Sequence, residues 1–82
     1  MPKVKFFTLI AKAAGSDGYE SRAPTVKALL EEIRELHGEE INRYLDACIV
    51  LVNGTNIGYL KGARTKLEDD DLVSIFPPVA GG

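Results

Sequence analysis

Pro24-Thr25-Val26-Lys27-Ala28-Leu29-Leu30-Glu31-Glu32-Ile33-Arg34-Glu35-Leu36-His37-Gly38 is the stretch that decides the fold. Val26, Leu29, Leu30, Ile33 and Leu36 recur at the spacing that puts them on one side of an α-helix. Lys27, Glu31, Glu32, Arg34 and Glu35 take the other side, and Lys27 and Glu31, four apart, are placed to pair weakly. Thr25 is a natural N-cap, because its hydroxyl can accept one of the unpaired first-turn N–H groups. Gly38 suits the position after the helix, where the chain must change hand. A single helix with one apolar stripe needs one apolar surface to cover it. The flanking sequence reads mainly as strands, so that surface is one face of a sheet.

Towards the N-terminus, Val4, Phe6 and Thr8 alternate with Lys3, Lys5, Phe7 and Leu9, the period of a strand with one apolar and one mixed face. The lysines require solvent, so Phe7 and Leu9, which share their parity, are expected on the solvent side. Gly15-Ser16-Asp17-Gly18 is a turn cluster, and residues 19–23 can return as a second strand of a hairpin. Towards the C-terminus, Ile41, Tyr44 and Leu45 predict a short turn of helix within residues 39–47. Residues 48–52 are continuously apolar and read as a buried strand, and Asn53-Gly54 is a strong hairpin signal. A short strand over 57–60, a basic loop over 61–66 and an acidic turn over 67–71 follow. Residues 72–76 form the last strand, with Val73 and Ile75 inward and Leu72, Ser74 and Phe76 outward. The first and last strands are expected as parallel neighbours in the centre of one mixed sheet, an α+β arrangement of the β-grasp type. Phe7 and Phe76 would then form one apolar patch, and two aromatics together on a surface mark a partner interface.

Eighty-two residues make one small domain. Hydrophobic residues are 45% and charged residues 27% of the chain, and the net charge is −2. Nucleic-acid binding, which needs a basic stripe to displace counterions, is not expected. Nor is a membrane span, since no apolar run has the required length. Lys3 and Lys5, the run 6–10 and Ala11-Lys12-Ala13 imitate a signal peptide, but the apolar stretch is too short and alternates with lysines. Cys48 is the only cysteine, so an internal disulfide and cysteine-rich zinc spacing are both excluded. These features predict a cytoplasmic protein.

The chain offers no catalytic constellation of its own. His37, the only histidine, stands at a helix C-terminus, where it can face free carbonyls. Cys48 lies in an apolar run and reads as a small core residue. Gly54, Gly58 and Gly62 lack the spacing of a phosphate loop. Asp69-Asp70-Asp71 lacks the other oxygen ligands of a calcium loop and reads as a solvated turn. No metal site is expected.

The remaining segment is Phe76-Pro77-Pro78-Val79-Ala80-Gly81-Gly82. Pro77 and Pro78 cannot donate to a ladder and end the strand. Gly81 and Gly82 carry no Cβ and can pass through a narrow slot. Residues 1–76 are therefore expected as a single β-grasp domain, and 77–82 as a flexible tail that could reach roughly 20 Å when extended. This segment resembles the C-terminus of the small subunit of molybdopterin synthase and of related ubiquitin-like sulfur carriers. The resemblance is close over the tail and last strand and extends to residues 1–9 and 24–36. In two respects the chain departs from that pattern: Asp70 stands where related sequences often have glycine, and residues 54–66 form a longer segment. Asp tolerates left-handed geometry, so the acidic turn is expected to survive.

The resemblance implies a carrier rather than an enzyme. Gly82 would be adenylated by an E1-like enzyme and converted to a thiocarboxylate with sulfur from a sulfurtransferase. The tail would then enter the large subunit of molybdopterin synthase, where sulfur builds the dithiolene of molybdopterin. In that reading Gly82 carries the sulfur and Gly81 lets it enter the slot. Phe7, Phe76, Pro77, Pro78 and Val79 contact the partner, and no cofactor is bound. The same activated carboxylate would also serve a ubiquitin-like modifier joined to lysines, or a sulfur donor for thiazole or tRNA thiolation.

Overall fold

A computed structural model of the chain describes residues 1–78. Five strands, β1 (Lys3–Phe6), β2 (Gly18–Glu20), β3 (Ile49–Val52), β4 (Thr55–Asn56) and β5 (Leu72–Phe76), form one sheet in the order β2-β1-β5-β3-β4. β1 and β5 run parallel at its centre, and the other pairs are antiparallel. The expected central pair is thus present.

Register builds the core. Val4 lies opposite Val73, which lies opposite Val52. Phe6 lies opposite Ile75, which lies opposite Val50. All six are buried. Side chains alternate across a strand, so these two rows make one apolar face. The main helix, α2 (Val26–His37), adds buried Val26, Leu29 and Ile33 to the same cluster. Its start follows the sequence signal: the Thr25 hydroxyl accepts the Ala28 N–H at 3.1 Å. Gly38 follows its end with φ of 73°, which favours glycine. Leu36 departs from the expected stripe and is 59% exposed. The Lys27–Glu31 pair does not form among the described residues, whose ion pairs are Met1–Asp69 and Arg34–Asp46.

The N-terminal hairpin requires a correction. β1 stops at Phe6, and residues 8–14 are not strand and loop but a helix, α1 (Thr8–Ala14). Thr8 turns the chain with φ of 49°, Ile10 is fully buried, and Gly15 closes the helix in left-handed geometry. Ala11, Ala13 and Ala14 are good helix formers, and anchoring Ile10 in the core outweighs the strand pattern. The short helix expected within 39–47 is α3 (Glu39–Leu45), with Ile41 and Leu45 buried.

A second correction concerns residues 57–60. The Asn53-Gly54 hairpin forms, with φ of 52° and 86° at its two central residues, the geometry that Asn-Gly adopts most readily. However, β4 ends at Asn56, whose side chain accepts the Gly58 N–H at 2.8 Å. That bond turns Ile57–Tyr59 into a single 3₁₀ turn instead of a strand. The acidic turn closes without left-handed geometry at Asp70: the Asp71 N–H donates to the Glu68 carbonyl, and the Asp71 carboxylate accepts the Glu68 N–H.

Candidate functional site

The face of the sheet away from the core carries the feature closest to the tail. Beyond Phe6 the backbone stays extended for one residue, and the Phe7 N–H donates to the Ile75 carbonyl at 3.1 Å. That bond prolongs the β1–β5 ladder and sets Phe7 beside Phe76. Their rings stack with centroids 4.3 Å apart and planes 12° from parallel. An aromatic pair of this kind contributes about 0.5–1.5 kcal/mol beyond area burial. Both are half-buried, as is Pro77, while Pro78 is exposed. Four of the expected interface residues, Phe7, Phe76, Pro77 and Pro78, therefore lie together at the foot of the tail. Val79, Gly81 and Gly82 fall outside the described residues.

Sequence reasoning missed two members of this surface. Ile49 pairs with Phe76 and Leu51 with Ser74, and both are half-buried. The run over residues 48–52 is not a strand buried on both faces. It supplies Val50 and Val52 to the core and Ile49 and Leu51 to the outer face. An apolar run on a sheet covered by helices on one face only was the available signal. Leu9 is 52% exposed as expected, but from α1 rather than from a strand. Lys3 and Lys5 are exposed.

The other candidates resolve as structural. His37 meets the Phe6 ring edge-on, with centroids 6.0 Å apart. Cys48 is half-buried against the core, and burial pushes its thiol pKa up, which disfavours the nucleophilic thiolate. Asp71 is held by the Asn53 amide at 2.8 Å, and Asn53 also accepts the Leu72 N–H at 2.9 Å. No group of His, Cys, Asp and Glu fit to hold a metal occurs among the described residues. No helix there is long and apolar enough to cross a membrane.

One polar network had no sequence signal. Glu32 on α2 accepts hydrogen bonds from the Tyr19 and Ser21 hydroxyls, the latter at 2.8 Å, and Ser21 in turn accepts the Ala23 N–H at 2.9 Å. Burial, followed by the bond to Glu32, raises the Tyr19 pKa well above its ordinary value. This network fastens the end of the N-terminal hairpin to the helix that covers the core.

A β-grasp sheet with an apolar outer patch at the foot of its last strand defines a small ubiquitin-like protein. The chain belongs to the ThiS family, whose profile matches residues 4–82. It is 58% identical over 33 residues to small archaeal modifier protein 3 of Haloferax volcanii, a stretch covering 40% of this chain and 36% of that protein. Thus the match spans little more than a third of that relative. The solution structure of small archaeal modifier protein 1 from Methanosarcina acetivorans superposes with a TM-score of 0.81 at 28% identity, covering 99% of this chain and 95% of that one. A chain in the complex of subunits 1 and 2 of the molybdopterin-converting factor from Helicobacter pylori gives a TM-score of 0.71 at 27% identity, covering 99% and 97%. The protein is therefore a ThiS-family member of ubiquitin-like fold.

Proposed function

We propose that this chain is a cytoplasmic sulfur carrier that works through a carboxylate on Gly82 and supplies sulfur for the dithiolene of molybdopterin. The observation that carries the reading is the stacked Phe7–Phe76 pair at the foot of a Pro-Pro-Val-Ala-Gly-Gly segment. A half-buried apolar anchor followed directly in sequence by a segment rich in Pro and Gly suits a partner that seats the domain and draws the C-terminal residues into its own active site. A carboxylate is a poor electrophile, so an E1-like enzyme would first adenylate it, releasing pyrophosphate. The terminal sulfur of a sulfurtransferase persulfide would attack the acyl carbon and expel AMP. A thiol would then cleave the acyl disulfide, leaving the thiocarboxylate on Gly82 and a disulfide on the enzyme. The large synthase subunit would be the acceptor's host, as likeness to a chain of the Helicobacter pylori complex suggests.

A second reading is favoured by the relatives named as modifiers: Gly82 joined to lysines of other proteins. Both readings need the activated carboxylate, and thiazole or tRNA thiolation would use the same thiocarboxylate. Incubation with an E1-like enzyme, ATP and a persulfide donor tests the shared step by intact mass. One oxygen-to-sulfur exchange on Gly82 is expected; an unchanged mass would refute it. Adding the large synthase subunit and pterin precursor should then consume the thiocarboxylate, whereas lysine conjugates in a cell extract would favour the second reading.

A further inference from the structure

The segment between β4 and β5 carries a surface that the tail does not explain. Lys61, Arg64 and Lys66 from this segment and Lys27 from α2 line a hollow of about 330 Å³, together with Thr25 and Ala63. Four of the chain's ten basic residues thus meet around one concavity in a protein of net charge −2, and no acidic side chain lines it. All four are exposed, and none forms an ion pair among the described residues. Like charges gathered without counter-charges repel, so the arrangement is one that an anionic partner would relieve.

The frame holding these cations is built. The Lys61 N–H donates to the Thr65 hydroxyl at 3.0 Å, the Arg64 N–H to the Lys61 carbonyl at 3.0 Å, and the Thr65 N–H to the Gly62 carbonyl at 3.0 Å. Thr65 is buried, and its carbonyl accepts the Val26 N–H, tying the segment to the start of α2. A second hollow adjoins the first and shares Lys61 and Lys66. It is also lined by Tyr59 and Leu60, of which Tyr59 is 88% exposed. Basic side chains therefore border an unpartnered aromatic and an aliphatic side chain. The surface shares no residue with the Phe7–Phe76 patch. It precedes the turn into β5, whereas Phe76 lies at that strand's far end.

We propose that this hollow docks an acidic segment of a partner protein, whose carboxylates meet Lys27, Lys61, Arg64 and Lys66 while an apolar side chain beside them settles against Tyr59 and Leu60. The mixed apolar and basic lining and the small number of cations favour a polypeptide over a nucleic acid. Because the tail root lies elsewhere, one partner can hold this surface while the arm is engaged.

The probe is a short fluorescein-labelled peptide of glutamates and leucines, titrated with the full chain by fluorescence anisotropy. Saturable binding is expected, weakened about tenfold or more by Lys61→Glu with Lys66→Glu, and abolished when the peptide's glutamates are replaced by glutamine. Tyr59→Ser should weaken it about threefold, and raising salt from about 50 to about 200 mM should weaken it further. Lys27→Gln with Arg64→Gln provides an independent pair of variants, and circular dichroism checks the fold of each. Absence of saturable binding, affinity unchanged from the parent chain in both pairs of variants, or an RNA oligonucleotide that binds more tightly than the peptide would overturn the proposal.

Discussion

Phe7 and Phe76, 69 positions apart in the chain, stack face to face at 4.3 Å because one hydrogen bond, from the Phe7 N–H to the Ile75 carbonyl, extends the central ladder past the end of β1. The pair is half-buried with the chain alone, so it has both a structural and a binding consequence. Phe76→Arg should lower unfolding free energy by about 1–2 kcal/mol, the stack and part of a ring's burial, measured by urea titration. Affinity for the activating enzyme should fall by on the order of several kcal/mol, since a charge would be buried unpaired at the interface. A variant that binds that enzyme as well as the parent chain would remove this surface from the proposed function.

Glu32 should matter more to stability than any other exposed-face residue of α2. Glu32→Ala leaves the Tyr19 and Ser21 hydroxyls without their acceptor, and Ser21 is only 1% exposed. A loss of about 2–4 kcal/mol is expected, against about 1 kcal/mol for Glu32→Gln, whose amide oxygen can still accept. Equal costs for the two substitutions would show that the hydroxyls find water instead.

The same network sets an alkaline limit. The Tyr19 pKa is raised in the folded state relative to its ordinary value of about 10. The folded chain therefore keeps the phenolic proton after the unfolded chain has released it. The stabilisation is fully present below about pH 10 and is lost as pH rises through the elevated folded value. Tyr19→Phe should flatten the fall in stability above pH 10, read from urea midpoints at successive pH values. Parallel slopes in the two proteins would assign the alkaline loss to other groups.

What could be read from the sequence was local. The start of α2 depends on Thr25 and residues three to four away, and the Asn53-Gly54 hairpin on two side chains and a period of two. The parity of Lys3 and Lys5 was enough to place Phe7 outside, and that of Val73 and Ile75 to place Phe76 there. Helix α1 was hidden because the alternation of Val4 and Phe6 continues to Thr8, two residues past the strand's end. Three alanines and Gly15 were the opposing signal, decided by where Ile10 finds the core. The Glu32 network joins residues 11 and 13 positions apart through the packing of a helix on a hairpin, which no local pattern encodes. The placement of Gly81 and Gly82 lies beyond the described residues, and their role rests on the resemblance and the family.

Thr8 marks the junction where strand becomes helix. Its φ of 49° is left-handed, and a β-branched side chain there is strained by about 1–2 kcal/mol. Thr8→Gly relieves the strain but adds freedom to the unfolded chain, worth about 0.5–1 kcal/mol in the other direction. A net gain of about 0.5–1 kcal/mol is expected, seen as a higher Tm by calorimetry. A loss would mean that the Thr8 side chain makes a contact worth more than its backbone strain.

The sharpest contrast is between Gly82 and Cys48, the two positions at which sulfur could be held. Burial raises the Cys48 thiol pKa, so little thiolate is available near neutrality, and the side chain packs against the core. Cys48→Ser should therefore leave the oxygen-to-sulfur exchange intact while costing some stability, on the order of 1 kcal/mol, for placing a hydroxyl among apolar neighbours. Gly82→Val should suppress the exchange, because a branched side chain beside the carboxylate crowds any narrow slot and restricts the backbone. Deleting Gly81 and Gly82 should abolish it without changing the melting curve, since the core rows end at Ile75 and Phe6. Intact and fragment masses after incubation with the activating enzyme, ATP and a persulfide donor read all three variants. Sulfur found on Cys48, or a truncated chain that still supports cofactor synthesis, would refute the carrier mechanism assigned to Gly82.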